Sequence, residues 1–262
     1  MSNDTSKPPF PAATILLIRA GTRGLEVFMV KRHHQIDFAT GALVFPGGKA
    51  TKSDFDPELG DHADGGAGWS PEMRALAAAA IREAFEEADI LLARDAKTGK
   101  MVDEARLAEL EPYRQPLEKG EISLRDLVVK ENLRLAFDEL VHFAHWITPK
   151  MMPKRFDTHF FVALAPQGHS GKHDGRESVD SIWIAPDEAV ADRKRWNVIF
   201  PTKLNLVKLA QAKTVNEALV RARATPPLTV EPWIENGPNG AILRIRDDAG
   251  YAQTSASLRD EG

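Results

Sequence analysis

Glu83, Glu86 and Glu87 follow Arg82 within six residues of one run, Ala75 to Leu92, ALAAAAIREAFEEADILL. Ala, Leu, Arg and Glu favour helix, and the run holds no Gly or Pro. At about 100° per residue the three glutamates project from one side, while Ala78, Ile81, Phe85, Ala88 and Leu92 fall on the other. Each like-charge pair at such spacing costs a few tenths of a kcal/mol. A cation among them relieves that repulsion, and a hard divalent ion, Mg²⁺ or Mn²⁺, suits an all-oxygen ligand set. Three acids on a helix are, by themselves, more often a solvated face.

Other elements must bring that helix a partner. Ala42 to Lys49, ALVFPGGK, reads as a strand ending in a turn, where Gly47 and Gly48 let backbone N–H groups approach a ligand and Lys49 adds charge. Arg32, His33 and His34 end an earlier strand and would grip phosphate there, or form a solvated basic turn. Lys150, Lys154 and Arg155 cluster in a link between two strands, with the same pair of readings: phosphate contacts or an exposed basic loop. Met151 and Met152 beside them read as an apolar platform or as core. Glu177 lies in QGHSGKHDGRES, a polar loop before a strand, with His173, Asp174 and Lys172 as weaker candidates.

Strand, Gly-Gly-Lys, loop and an R-E-x-x-E-E helix together resemble the Nudix hydrolase signature: Gly, five residues, Glu, seven residues, then R-E-apolar-x-E-E-x-G-apolar. Arg82 to Ile90 match its second half, with Asp89 where the family has Gly. Gly48 fits the leading Gly and Asp54 the first Glu, and an insertion separates them from Arg82. That inserted box resembles the coenzyme A diphosphatase branch, particularly the peroxisomal type. Arg32, Gly41 and Phe45-Pro46-Gly47-Gly48 fall at the spacing of its coenzyme A signature, with Asp37 replacing a second Arg. Arg155 to Phe161 and Asp174 to Glu177 also look like segments of that branch.

The resemblance implies an α/β Nudix-like sandwich, a mixed sheet between helices. It implies hydrolysis of the diphosphate of a nucleoside diphosphate linked to another group, with Mg²⁺ or Mn²⁺ held by Glu83, Glu86 and Glu87. It further implies that Arg82 orients a carboxylate by ion pairing. Glu177 is then a fourth ligand or the general base, with Glu83 its rival. Coenzyme A or acyl-coenzyme A is the favoured substrate, cut to 3′-phosphoadenosine monophosphate and a 4′-phosphopantetheine piece. ADP-ribose or NADH and capped RNA ends are the other substrates the residues allow. A nucleotide-binding module without turnover is the non-enzymatic reading, although such modules tend to lose the acidic ligands retained here.

A chain of 262 residues with 43% hydrophobic and 27% charged residues is ordinary for a globular protein with a proper core. The net charge of −4 argues against broad nucleic-acid binding and against an anionic membrane surface. Absence of cysteine excludes disulfides, a thiol nucleophile and Cys-ligated zinc. The sequence shows no apolar run long enough to span a membrane, no signal-peptide centre and no peroxisomal tripeptide at its C-terminus. A cytoplasmic chain acting on a small nucleotide is expected, and a homodimer is allowed.

Residues 1–11 read as a disordered arm and 12–262 as one domain. Ala12 to Arg19 and Leu25 to Lys31 form a hairpin, and Ser70 and Pro71 open the acidic helix as N-cap and first helical residue. Residues 50–70 read as a loop inserted in the box. Residues 103–140 read as a helical insertion that walls or lids the site, or simply packs. Strands are expected at Val141 to Thr148, Thr158 to Ala165 and Val179 to Ala185. Residues 226–262, after helices between Thr202 and Ala224, form a C-terminal extension with strand-like runs.

Overall fold

The computed structural model describes residues 8–32, 41–175, 178–192, 195–237 and 240–257. The hairpin forms as β1 (Phe10–Gly21) and β2 (Gly24–Arg32), whose apolar residues Ile15, Leu17, Phe28 and Val30 pack on one face and Leu16, Ile18, Val27 and Met29 on the other. That alternation is why both strands read as continuous apolar runs: the sheet is covered on both sides. Beside them lie β3 (Leu43–Val44) and β4 (Gly47–Lys49). The remaining strands of this sheet are β8 (Val141–Ile147), β9 (Phe156–Leu164), β10 (Ser178–Ile184) and β11 (Thr229–Val230). Its order is β10-β2-β1-β9-β8-β11, with β3 on β2 and β4 on β1, and β1 runs parallel to β9. The sheet is mixed and lies between helices, as expected.

One face carries α1 (Pro71–Ala88), capped by Ser70 Oγ accepting from Met73 N with Pro71 at the first turn. The helix ends at Ala88, four residues before the apolar run does. Asp89 turns left-handed at φ 54°, and Ile90, Leu91 and Leu92 leave the helix to stay fully buried. The other face packs α6 (Phe200–Leu209) and α7 (Val215–Ala224) with Trp146, Phe160 and Tyr251. Between these, α5 (Pro186–Ala191) follows β10. The C-terminal extension adds a separate small sheet of β12 (Trp233–Gly237), β13 (Gly240–Arg244) and β14 (Ser255–Ser257).

Residues 50–70, expected as a loop, are folded. They form short 3₁₀ turns at Lys52–Phe55 and Pro57–His62 and then β5 (Ala63–Asp64). Residues 103–140 hold α2 (Glu104–Leu110), α3 (Arg114–Glu118), α4 (Leu124–Lys130) and also β7 (Leu133–Ala136). Strand β7 joins the two insertions, pairing parallel with β5 and antiparallel with β6 (Ala93–Asp95). Arg134 donates to Asp64 at 2.6 Å, to Asp61 O at 3.0 Å and to Ala63 O. The order of the box insertion thus comes from a segment 70 residues away, which local sequence does not show. The expected arm is also shorter than 1–11, because Phe10 N donates to Arg155 O at 2.9 Å and Phe10 packs its ring on Phe156.

Candidate active site

The acidic face of α1 is buried. Glu83, Glu86 and Glu87 are 8%, 7% and 7% exposed, and Arg82 is buried among them. The solvated-face reading of these acids is thereby set aside. Burial requires partners, and Arg82 supplies them with its entire guanidinium. Nε and Nη2 donate to the two oxygens of Asp54 at 3.0 Å each, Nη1 donates to Glu83 at 2.9 Å and to Glu86 at 3.0 Å, and Nη2 also donates to Lys49 O at 2.9 Å. All five N–H groups are used, so Arg82 gathers carboxylates and the strand end into one rigid unit. Burial works against its charge, and Glu83, Asp54 and Glu86 more than offset that, so the guanidinium stays cationic.

Asp54, 1% exposed, takes the bidentate side of this arrangement, and its Oδ2 also accepts from Thr51 N and Oγ1. Its place is therefore behind Arg82. The Gly-Gly bend meets the helix directly. Gly47 N donates to Glu87 Oε2 at 2.9 Å, and a Cβ on Gly48 would lie 2.5 Å from Glu83 Oε1. At Gly47 a Cβ would lie 2.6 Å from Ala13 O and Thr14 Oγ1. Both glycines are needed for contact distance alone.

One acceptor in this cluster is unanswered among the described residues: Glu86 Oε1 is buried and has no hydrogen-bond partner there. Burial, only partly offset by Arg82 and reinforced by Glu83, pushes the Glu86 carboxyl up to about 8. A group so placed calls for a cation beyond Arg82. Glu83, Glu86 and Glu87 offer carboxylate oxygens, the donor type that Mg²⁺ or Mn²⁺ takes, although one oxygen from each does not come within 4.8 Å of the other two in this arrangement.

The C-terminal end of α1 is held from two directions. Arg114 of α3, itself buried, donates Nε to Phe85 O at 2.9 Å and Nη2 to Glu86 O at 2.9 Å and Lys172 O at 3.2 Å. Lys172 N donates to Ala88 O at 2.8 Å, so the polar loop before β10 is docked on the same helix end. The 103–140 insertion thus positions the acidic helix. Arg114 was missed in the sequence, where a lone Arg among short helices gives no signal of its contacts.

A cavity of about 370 Å³ opens on the opposite face of the sheet and reaches Gly47 and Arg32. It is lined chiefly by apolar groups, among them Phe45, Met151, Met152, Phe156, Ile199 and Ile234. Much of the cavity wall comes from the β8–β9 link and the C-terminal extension. Arg32 lines the cavity, and its Nε is buried without a hydrogen-bond partner among the described residues. Lys49 is exposed and lies over the Phe10 ring at 4.5 Å. Arg155 is turned elsewhere, donating to Thr148 O and to Glu231 at 2.7 Å. Glu177, His33, His34 and Asp37 lie outside the described residues.

Residues 60–204 match the family model of the NUDT19 Nudix domain. The chain belongs to the Nudix hydrolase family, in its coenzyme A diphosphatase branch. It is 27% identical over 230 residues to putative nudix hydrolase 7 of Caenorhabditis elegans, a match covering 87% of this chain and 70% of that one. It is 25% identical over 237 residues to the acyl-coenzyme A diphosphatase NUDT19 of Xenopus laevis, covering 75% of this chain but only 62% of that relative. The crystal structure of a Nudix hydrolase from Alicyclobacillus acidocaldarius superposes with a TM-score of 0.72 at 27% identity, covering 82% of this chain and 96% of that one. The matched span of this Nudix chain contains the acidic helix and residues 103–140. No helix among its described residues is long and apolar enough to cross a membrane.

Proposed function

We propose that this Nudix chain hydrolyses the diphosphate of a nucleoside diphosphate joined to another moiety, with coenzyme A or acyl-coenzyme A as substrate. The observation that carries this is the complete use of Arg82: it fixes three buried carboxylates against the Gly47-Gly48 bend and leaves Glu86 Oε1 without a partner among the described residues. Glu83, Glu86 and Glu87 would hold Mg²⁺ or Mn²⁺. Such an ion neutralises diphosphate oxygens and lowers the pKa of a bound water.

The chain's own groups do the rest. Arg82 orients Glu83 and Glu86 and has no N–H left for substrate. Arg32 Nε faces phosphate from the cavity side, and Gly47 and Gly48 allow the close approach. Glu177 is the proposed proton acceptor, with Glu83 as alternative, because a carboxylate bound to metal is a poor base at the same moment. The mostly apolar cavity with Met151 and Met152 suits a long, weakly polar substrate arm, which favours coenzyme A or its thioesters over ADP-ribose. The cysteine-free chain suits a reducing cytoplasm.

The test is a mass-spectrometric panel of coenzyme A, acyl-coenzyme A, ADP-ribose, NADH and dinucleoside polyphosphates with Mg²⁺ or Mn²⁺. Release of 3′-phosphoadenosine monophosphate from coenzyme A or acyl-coenzyme A is expected. ADP-ribose cleaved with both left intact would overturn the substrate, and nucleotide held without products would overturn the enzyme. Glu87→Gln is expected to abolish turnover, by at least about 10³-fold, in a chain with unchanged circular dichroism. Retained turnover would place the metal elsewhere.

A further inference from the structure

Strands β8 and β9 bring together four side chains that the hydrolytic reading leaves unused: His142, His145, Asp157 and His159. In sequence Asp157 and His159 lie in the segment Arg155 to Phe161 noted for its family likeness, and His142 and His145 form an H-x-x-H that by itself marks nothing. In the sheet, His145 stands directly opposite His159, and Asp157 lies two residues before His159 on the same side of the strand. A register shift between His142 and Ala144 turns His142 to that side as well, where its ring stacks on His159 with centroids 5.0 Å apart. His145 Nε2 lies 2.5 Å from Asp157 Oδ1, and His159 Nε2 lies 3.9 Å from the same oxygen. One ligand atom from each of His145, Asp157 and His159 can be chosen so that all lie within 4.8 Å of one another.

We propose that His145 Nε2, His159 Nε2 and an Asp157 oxygen bind a divalent transition-metal ion of the Zn²⁺ class, at a site separate from the carboxylates of α1. Two imidazoles and one carboxylate are borderline ligands, suited to zinc and its neighbours and poorly suited to Mg²⁺, which prefers an oxygen set. Three protein ligands leave a fourth tetrahedral position for water, and the side chains are only partly buried, which leaves an entry path. The outer contacts have the geometry that orients metal-binding histidines. His145 Nδ1 lies 2.8 Å from Thr229 Oγ1, and His159 Nδ1 lies 3.1 Å from His142 Nε2. Each ring can therefore donate its Nδ1 proton outward while its Nε2 lone pair faces the ion.

The position is also informative. Gly48, Ala13, His159 and His145 form one row across β4, β1, β9 and β8. Cross-strand partners share a face, so the cluster lies on the α1 side, with His159 about 10 Å from Gly48 by strand spacing. Through Thr229 the ion would also hold β11 to β8, tying the start of the C-terminal extension to the central sheet.

The test uses the full chain, dialysed free of metal and titrated with Zn²⁺ in millimolar Mg²⁺, followed by calorimetry and metal analysis. One Zn²⁺ per chain is expected for the wild type and for Glu87→Gln, which separates this site from that of α1. Asp157→Asn and His159→Gln are each expected to raise Kd at least about 100-fold, and Thr229→Val about 10-fold. Co²⁺ should give visible absorption bands that His159→Gln removes. Folding of each variant is checked by circular dichroism, and two variants at different positions guard against loss of fold in one. Zn²⁺ binding lost in Glu87→Gln but kept in Asp157→Asn and His159→Gln would overturn the proposal, as would a wild-type chain that takes up none.

Discussion

At the scale of the residue, the bend and the carboxylates depend on one another through single atoms. A Cβ at position 48 would lie 2.5 Å from Glu83 Oε1, so Gly48→Ala should push that carboxylate off Arg82 Nη1. Turnover is expected to fall at least about 10-fold and the melting temperature to drop, because the buried ion pair of Glu83 with Arg82 is broken, read by kinetics and calorimetry. Glu86 makes a prediction of opposite character. Its carboxyl titrates near 8 when folded, against its ordinary 4.5, so folding takes up a proton between those values. Without metal, stability must therefore fall as pH rises through that window. In EDTA, Glu86→Gln should remove this slope and add about 2 kcal/mol or more at pH 8, measured by denaturant titration across pH. An unchanged slope would show that Glu86 is not the group responsible.

At the scale of the element, the acidic helix was legible because its cues are local: formers throughout, Ser70 and Pro71 at one end, glutamates at helical spacing. Its other end was not. Asp89 stands in a left-handed position that Gly would fill more easily, and carbonyls of the last turn before it accept from Arg114 and from the backbone of Lys172, 25 and more residues away. The same holds for Asp54, whose position the sequence marks but whose bidentate contact with Arg82 spans 28 residues. Arg114→Ala should take the guanidinium donor from Glu86 O and Lys172 O at the helix C-terminus, while Phe85 O keeps the backbone N–H of Asp89. The expected cost is about 2 kcal/mol, a fall of about 4–8 °C in melting temperature, with kcat reduced more than KM because Glu86 and Glu87 lie in the loosened turn. A variant as stable and as fast as wild type would reduce Arg114 to a bystander.

At the scale of the whole molecule, the mixed sheet divides the work. Carboxylates and both insertions cover one face, while the cavity and the C-terminal extension cover the other, and the Gly47 bend is the place where the two meet. The layered fold could be read from strand and helix periodicity. The cavity could not, since it is assembled from Thr14 to Leu243 by tertiary contacts that no window of sequence contains. Met152, 41% exposed in its wall, separates substrate binding from chemistry. Met152→Glu should raise KM for acyl-coenzyme A several-fold and leave kcat nearly unchanged, measured by steady-state kinetics; a fall in kcat alone would argue that the cavity does not hold substrate.

The union of β5 with β7, fastened by Arg134, has an engineering corollary. Neither inserted segment can be trimmed or transplanted singly: removing 103–140 strips β5 of its hydrogen-bonding neighbour, and removing 50–70 orphans the guanidinium of Arg134. Any shortened or chimeric version of this chain must exchange the two pieces as a matched set.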